Sequence, residues 1–293
     1  MPCNHKRVAA TLQLERHLWD AGVDVVVGMD EVGRGSWAGP LTVAAVVVDP
    51  DRPISQVQDS KKLTPAVREK LHDRIIGWAR AVCIAHATVE ECVQLGMSVA
   101  QRLAAKRALD GIALSVDHVL VDGPWDFVTP KPDHPTSTKP ADHSNSNPKN
   151  PIALKLDLDE ANQAKQGSFA ASSVCVSQSS AVTNGGLKAR FHDVRNQTDA
   201  PAVTTVVRGD TKSLTIAAAS IVAKVTRDRI MVAAAKKYPA YRFASNKGYQ
   251  CPHHIAALQT WGISDFHRRN WAFVNKLCPP TDPSQTVSGT VDP

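Results

Sequence analysis

Residues 23–48 read "VDVVVGMDEVGRGSWAGPLTVAAVVV". Two β-branched runs, Val23–Val27 and Leu41–Val48, flank a glycine-rich turn. Such runs favour strands, and their close spacing through a turn predicts antiparallel neighbours. Asp30 and Glu31 follow at the end of the first run, and then an arginine, Arg34, stands between Gly33 and Gly35. Carboxylates are poor strand formers and costly to bury, so local structure does not ask for them here.

Outward from this stretch, "ATLQLERHLWDAG" predicts a short amphipathic helix with Leu12, Leu14 and Leu18 apolar and Gly22 as its stop. Thr64-Pro65 starts a helix whose core stripe is expected at Val67, Leu71 and Ile75. "RAVCIAHATV" predicts a third strand, Val89 to Ala113 a long helix, and "DHVLVDG" a short buried strand. Ile216 to Tyr238 is strongly helical, and Pro239 ends it. The pattern indicates an α/β fold, a mixed central sheet flanked by helices, with a C-terminal helical part.

Residues 128–200 break the pattern. Phe169 and Phe191 are their only aromatics, and prolines 130, 132, 135, 140, 148 and 151 crowd the first third. This composition predicts a disordered surface insertion, with a weak helix near Leu156–Lys165. The expected organisation is one domain over residues 10–277, interrupted by 128–200, and a disordered tail over 278–293. A formal charge of +6 suits a polyanionic partner and serves solubility equally well. The six cysteines include no C-x-x-C pair, which favours reduced thiols over disulfides or structural zinc. The N-terminus lacks a signal peptide's apolar core and no stretch reaches membrane-span length, so a cytoplasmic protein is expected.

Asp30 and Glu31, Asp122 in "VLVDG" and Asp210 in "VVRGDTKS" all fall at element ends, where a sheet offers side chains to a cleft. Carboxylates sharing a cleft repel one another, and a hard divalent cation, Mg2+ or Mn2+, removes the conflict. Taken singly, each is equally well a solvated acid in a turn. "GRGSWAG" also has a spacing that suggests a dinucleotide-binding turn. That reading needs a helix next, and Pro40 and a β-branched run follow instead. The glycines more plainly let the backbone approach a ligand, with Arg34 near a phosphate.

"GMDEVGRGSWAGP", "DSKKLT", "VDG", "IAAASIVAKVTRD" and "NKGY" together resemble ribonuclease HII, over residues 10–127 and 201–275. The resemblance implies an RNase H-like fold. It also implies an endonuclease that cuts 5′ of ribonucleotides in RNA–DNA hybrids and in duplex DNA, by a two-metal-ion mechanism. Its catalytic and metal-binding carboxylates are then Asp30, Glu31, Asp122 and Asp210. Gly33, Arg34 and Gly35 would meet the ribonucleotide, and Tyr249 the sugar on its 3′ side. Ser60, Lys61, Lys62 and Lys247 become phosphate contacts. A monomer that docks on a replication clamp is the expected assembly. "KGYQ" and "HRRNW" depart from the family pattern, the latter in a way expected to touch packing more than chemistry. Of His253 and His254, both are expected to be polar residues at a helix start. A duplex-binding protein without catalysis is the alternative, but such a protein should lack an acid, and all four are present.

Overall fold

The computed structural model describes residues 10–52, 54, 57, 63–130, 174–177 and 200–277. Strand β1 (Val26–Val32) and strand β2 (Leu41–Val47) form the expected antiparallel pair, in register from Val27↔Val47 to Val32↔Thr42. β1 therefore does not end at Asp30 and Glu31, as the sequence suggests; it runs through both while β2 stays beside it. Strand β3 (Ala81–Ala87) pairs antiparallel with β2, and strand β4 (His118–Asp122) pairs parallel with β1. Strand β5 (Val174–Ser177) and strand β6 (Ala202–Val206) close the edges, giving the order β5-β3-β2-β1-β4-β6.

Helices cover both faces. Helix α1 (Gln13–Asp20) precedes β1, and helix α2 (Pro65–Trp78) starts as expected, with Thr64 accepting from the Val67 amide. The stripe of α2 differs from expectation. Val67 is 42% exposed, and Leu71, Ile75 and Trp78 are the residues that face inward, where α2 packs against the helix Leu214–Lys237. Helix α3 (Val89–Asp110) opens on a capping box between Thr88 and Glu91, and Gly96, at φ 74°, interrupts it. Helix α4 (Leu214–Lys237) lies across the sheet centre, and its fully buried Ile216, Ile221, Val222 and Met231 each contribute about 1.5–3 kcal/mol of apolar burial. Its first turn approaches β1 so closely that a Cβ on Gly28 would stand 2.3 Å from the Thr215 carbonyl carbon. Alternate residues divide the core. Met29, Val43 and Val121 face α3, whereas Val26, Leu120 and Ile216 pack together on the α4 side.

After Pro239, short helices α5 (Phe243–Asn246), α6 (Pro252–Trp261) and α7 (Ala272–Leu277) form the C-terminal helical part. Tyr241, Phe243, His254 and His267 pack ring against ring at its centre. Two expectations need correction here. Val174–Ser177 lies within the segment read as a disordered insertion, yet it forms β5. That strand sets Cys175 opposite Cys83, and the two are joined as a disulfide where reduced thiols were expected. The physical reason is register, which places the two sulfurs on facing positions of adjacent strands. The weak helix expected near Leu156–Lys165 and the tail lie outside the described residues. No helix among the described residues is long and apolar enough to cross a membrane.

Candidate active site

The parallel register of β1 and β4 runs through Gly28↔Leu120 and Met29↔Val121, so Asp30 and Asp122 come next, side by side. Both fall on the alternation that includes Val26 and Leu120, and so on the α4 face. Glu31 leaves β1 from the opposite face, beside Val43. Asp30 is only 8% exposed. Its Oδ1 accepts from the Glu31 amide at 2.7 Å, and Ser220 of α4 also hydrogen-bonds to its side chain. Burial, then the charge of Glu31, then that of Asp122, holds the Asp30 carboxyl well above the usual carboxylate range.

Asp122 is tied to the next acid through the backbone. Its Oδ1 accepts from the Gly209 amide at 2.7 Å, and Gly209 opens the 3-10 turn Gly209–Thr211 that carries the buried Asp210. Arg208, in the left-handed region at φ 57°, turns β6 into that bend. The long interval between Asp122 and Asp210 thus still brings the end of β4 against the turn that carries Asp210. Among the described residues no three His, Cys, Asp or Glu side chains are gathered as a ready ligand set. The donor chemistry nevertheless fits a hard divalent cation. Oxygen ligands are all it offers, and the buried Asp30 has the like charges of Glu31 and Asp122 close by, which a cation would offset.

Beside the acids lies the turn from Gly33 to Pro40, and two buried arginines hold it. Arg268 donates from Nη1 to the carbonyls of Gly33 (2.7 Å), Arg34 (3.1 Å) and Ser36 (2.9 Å), and from Nη2 to that of Gly39 (2.9 Å). Arg227, on α4, donates to the carbonyls of Pro40 and Ala38 and to Ser36 Oγ. Neither makes an ion pair among the described residues, and burial lowers both, Arg268 to about 10. Arg227 also donates to the Lys247 carbonyl, its guanidinium lies 5.4 Å from the Tyr249 ring centre, and the Trp37 amide donates to Gly248. The "GRG" and "KGY" segments, distant in sequence, are thereby docked together. Lys247 Nζ turns back to the Ala244 carbonyl. Arg34 is exposed, 5.6 Å over the Trp125 ring, which also carries Arg102 at 5.2 Å. Ser60, Lys61 and Lys62 lie outside the described residues.

The Tyr249 carbonyl accepts from His254 Nδ1, and His254 Nε2 meets His267 Nε2 at 3.0 Å. Only one tautomer set satisfies the chain: His254 carries its proton on Nδ1, His267 on Nε2, and His267 Nδ1 accepts from the Ser264 amide. Both histidines stand in the first turn of α6, as expected; His253 is exposed there, whereas His254 is a fully buried member of a network.

A family model described as Ribonuclease HII matches residues 27–175 and 143–274. Ribonuclease HII of Caulobacter vibrioides is 33% identical over 247 residues, 84% of each chain, and that of Burkholderia thailandensis is 33% identical over 258 residues, 88% of each. The chain belongs to the ribonuclease HII family. It is accordingly a metal-dependent hydrolase, an endonuclease acting on RNA–DNA hybrids. Ribonuclease H2 from Pyrococcus horikoshii, 22% identical, shares the RNase H-like fold with a TM-score of 0.53 over 87% of this chain and 97% of its own. A second solved structure at 22% identity and TM-score 0.50 is the PCNA:RNase HII complex from Archaeoglobus fulgidus, covering 86% of this chain and 96% of that one.

Sequence reading missed Ser220, Arg227, Arg268 and Trp125. A signal existed for the first two. Every residue from Leu214 to Ala223 is buried, and Arg227 and Met231 continue the face of Ile216, Ser220 and Ala223 at helical spacing, so a polar residue there faces inward.

Proposed function

We propose that this chain nicks the strand 5′ of a ribonucleotide, both in RNA–DNA hybrids and at single ribonucleotides embedded in duplex DNA, leaving 3′-hydroxyl and 5′-phosphate ends. Its role is then removal of ribonucleotides from DNA. One observation carries the reading: Asp30 and Asp122 stand side by side on one sheet face, next to a glycine turn docked on the Tyr249 segment. Asp30, Asp122 and Asp210 would hold Mg2+ or Mn2+, and Glu31, whose charge reaches Asp30 although it leaves β1 from the other face, would complete the set. Two such ions supply water activation and neutralise charge on the leaving 3′-oxygen of an in-line displacement.

The chain's own residues bind and orient. Gly33, Arg34 and Gly35 meet the ribose, whose 2′-hydroxyl is what separates RNA from DNA at one site. Tyr249, steadied by Arg227 and by His254, packs on the next sugar. Arg34, Lys247, Ser60, Lys61 and Lys62 contact phosphates, which positions the duplex without reading its sequence. The archaeal PCNA complex makes a replication clamp the protein partner to test, with the enzyme itself a monomer.

The test is a DNA duplex carrying one ribonucleotide, incubated with Mg2+ or Mn2+ and then with chelator. A single nick 5′ of the ribonucleotide is expected, lost with chelator and reduced about a hundredfold or more in Asp122→Asn. A duplex that is bound but never nicked would point instead to a nucleic-acid-binding protein. Undiminished nicking by Asp122→Asn would remove the acid pair from the mechanism.

A further inference from the structure

Two buried guanidiniums that have no carboxylate partner among the described residues are an expensive way to brace a surface turn. Their targets explain them. In a trans peptide the carbonyl oxygen and the following N–H point in opposite directions. Each carbonyl drawn inward by an arginine therefore turns the next amide outward. Ser36 and Ala38 give their carbonyls to Arg268 and Arg227, and the amides that follow, Trp37 and Gly39, reach out to the carbonyls of Gly248 and Phe266. Gly33 and Arg34 give theirs to Arg268 Nη1 at 2.7 and 3.1 Å, so the Arg34 and Gly35 amides are the next to be turned out. Those two amides engage no acceptor among the described residues, and a Cβ on Gly35 would meet nothing within 4 Å.

We infer that Arg268 is a positioning residue for ribonucleotide recognition. By holding the Gly33 and Arg34 carbonyls, it fixes the Arg34 and Gly35 amides as a pair of outward donors for an oxygen of the ribonucleotide. Arg227 and Ser36 support the same turn from behind, since Ser36 Oγ donates to the Gly33 carbonyl at 2.9 Å and accepts from Arg227 Nη2 at 2.7 Å. The fork of Arg268 matters more than its charge. Lysine keeps the cation but has a single nitrogen, and Arg268 serves Gly33, Arg34, Ser36 and Gly39 from three.

This inference rests on the functional reading above, and the experiment separates the two. Affinity is measured in chelator for two duplexes of one sequence, with and without a single ribonucleotide, using the parent, Arg268→Lys and Ser36→Ala. Thermal melting reports on folding. The parent is expected to prefer the ribonucleotide duplex. In each folded variant that preference should fall about tenfold, the loss of one well-aligned hydrogen bond, while affinity for the all-DNA duplex stays unchanged. A role in stability alone would move both affinities together or neither. A folded variant that keeps the parent's preference overturns the inference, and Ser36→Ala decides the matter if Arg268→Lys does not fold. A parent that neither prefers nor nicks the ribonucleotide duplex is a failure of the functional reading, visible before any variant is compared.

Discussion

A Cβ built on Gly33 lands 2.2 Å from Arg227 Nε, whereas one on Gly35 meets nothing within 4 Å. The sequence presents these glycines as equals, both letting backbone approach a ligand. Physically they divide the work. Gly33, at φ 90°, makes room for an internal arginine, and Gly35 is the open position. Gly33→Ala should cost about 2–3 kcal/mol in urea unfolding, from backbone strain and the displaced guanidinium together. Gly35→Ala should leave stability within about 0.5 kcal/mol yet slow nicking, and equal melting losses in the two variants would contradict the division. That Asp30, Asp122 and Asp210 lie near one another was legible because each stands in a motif at the end of a run. That Asp30 shares a face with Asp122, while Glu31 does not, follows from strand alternation, but only once β1 is known to continue through Val32.

At the scale of elements, the start of α4 is where an expectation from pattern fails most instructively. Glu15 on α1 is fully buried, and its Oε1 accepts from Ser213 Oγ (2.6 Å), the Thr215 amide (2.9 Å) and Thr215 Oγ1 (2.8 Å). A carboxylate here complements the positive end of a long helix. Periodicity marks the leucines of α1 as inward and is blind to a buried acid, because a charge counts as outward in any amphipathic pattern. Glu15→Ala should destabilise the protein by about 2–3 kcal/mol in chemical denaturation. It should also lower nicking, since Ser213 caps α4 two residues after the turn that bears Asp210. Full activity at unchanged stability would show the contact to be idle. Val67 errs in the opposite sense, an apolar residue left outside in the first turn of α2, because helical spacing does not say how far along a helix its neighbour reaches.

Across the whole molecule, buried imidazoles set the acid limit. Burial depresses His86 to about 4 and His267 to about 3, and lowers His254 as well. A histidine depressed in the folded state stays neutral there while the unfolded chain takes up protons. Stability is therefore full above the ordinary histidine range and falls as pH drops from about 6.5 toward 3–4. Between pH values of about 7.5 and 5, urea unfolding should lose on the order of 2 kcal/mol for each of His86 and His267. A flat profile would mean that these rings open to solvent before the fold does. The antiparallel half of the sheet was legible because β1 and β2 are joined by a short turn, and β5 was not, because four residues inside a polar, proline-rich stretch carry too little pattern. The same contrast has a consequence in time. β1–β2 pairing is local, but β1–β4 and β4–β6 pairing, which bring Asp30, Asp122 and Asp210 together, must close long stretches of chain. Long closures are slow. After dilution from denaturant, the hairpin should be back well before the enzyme can cut.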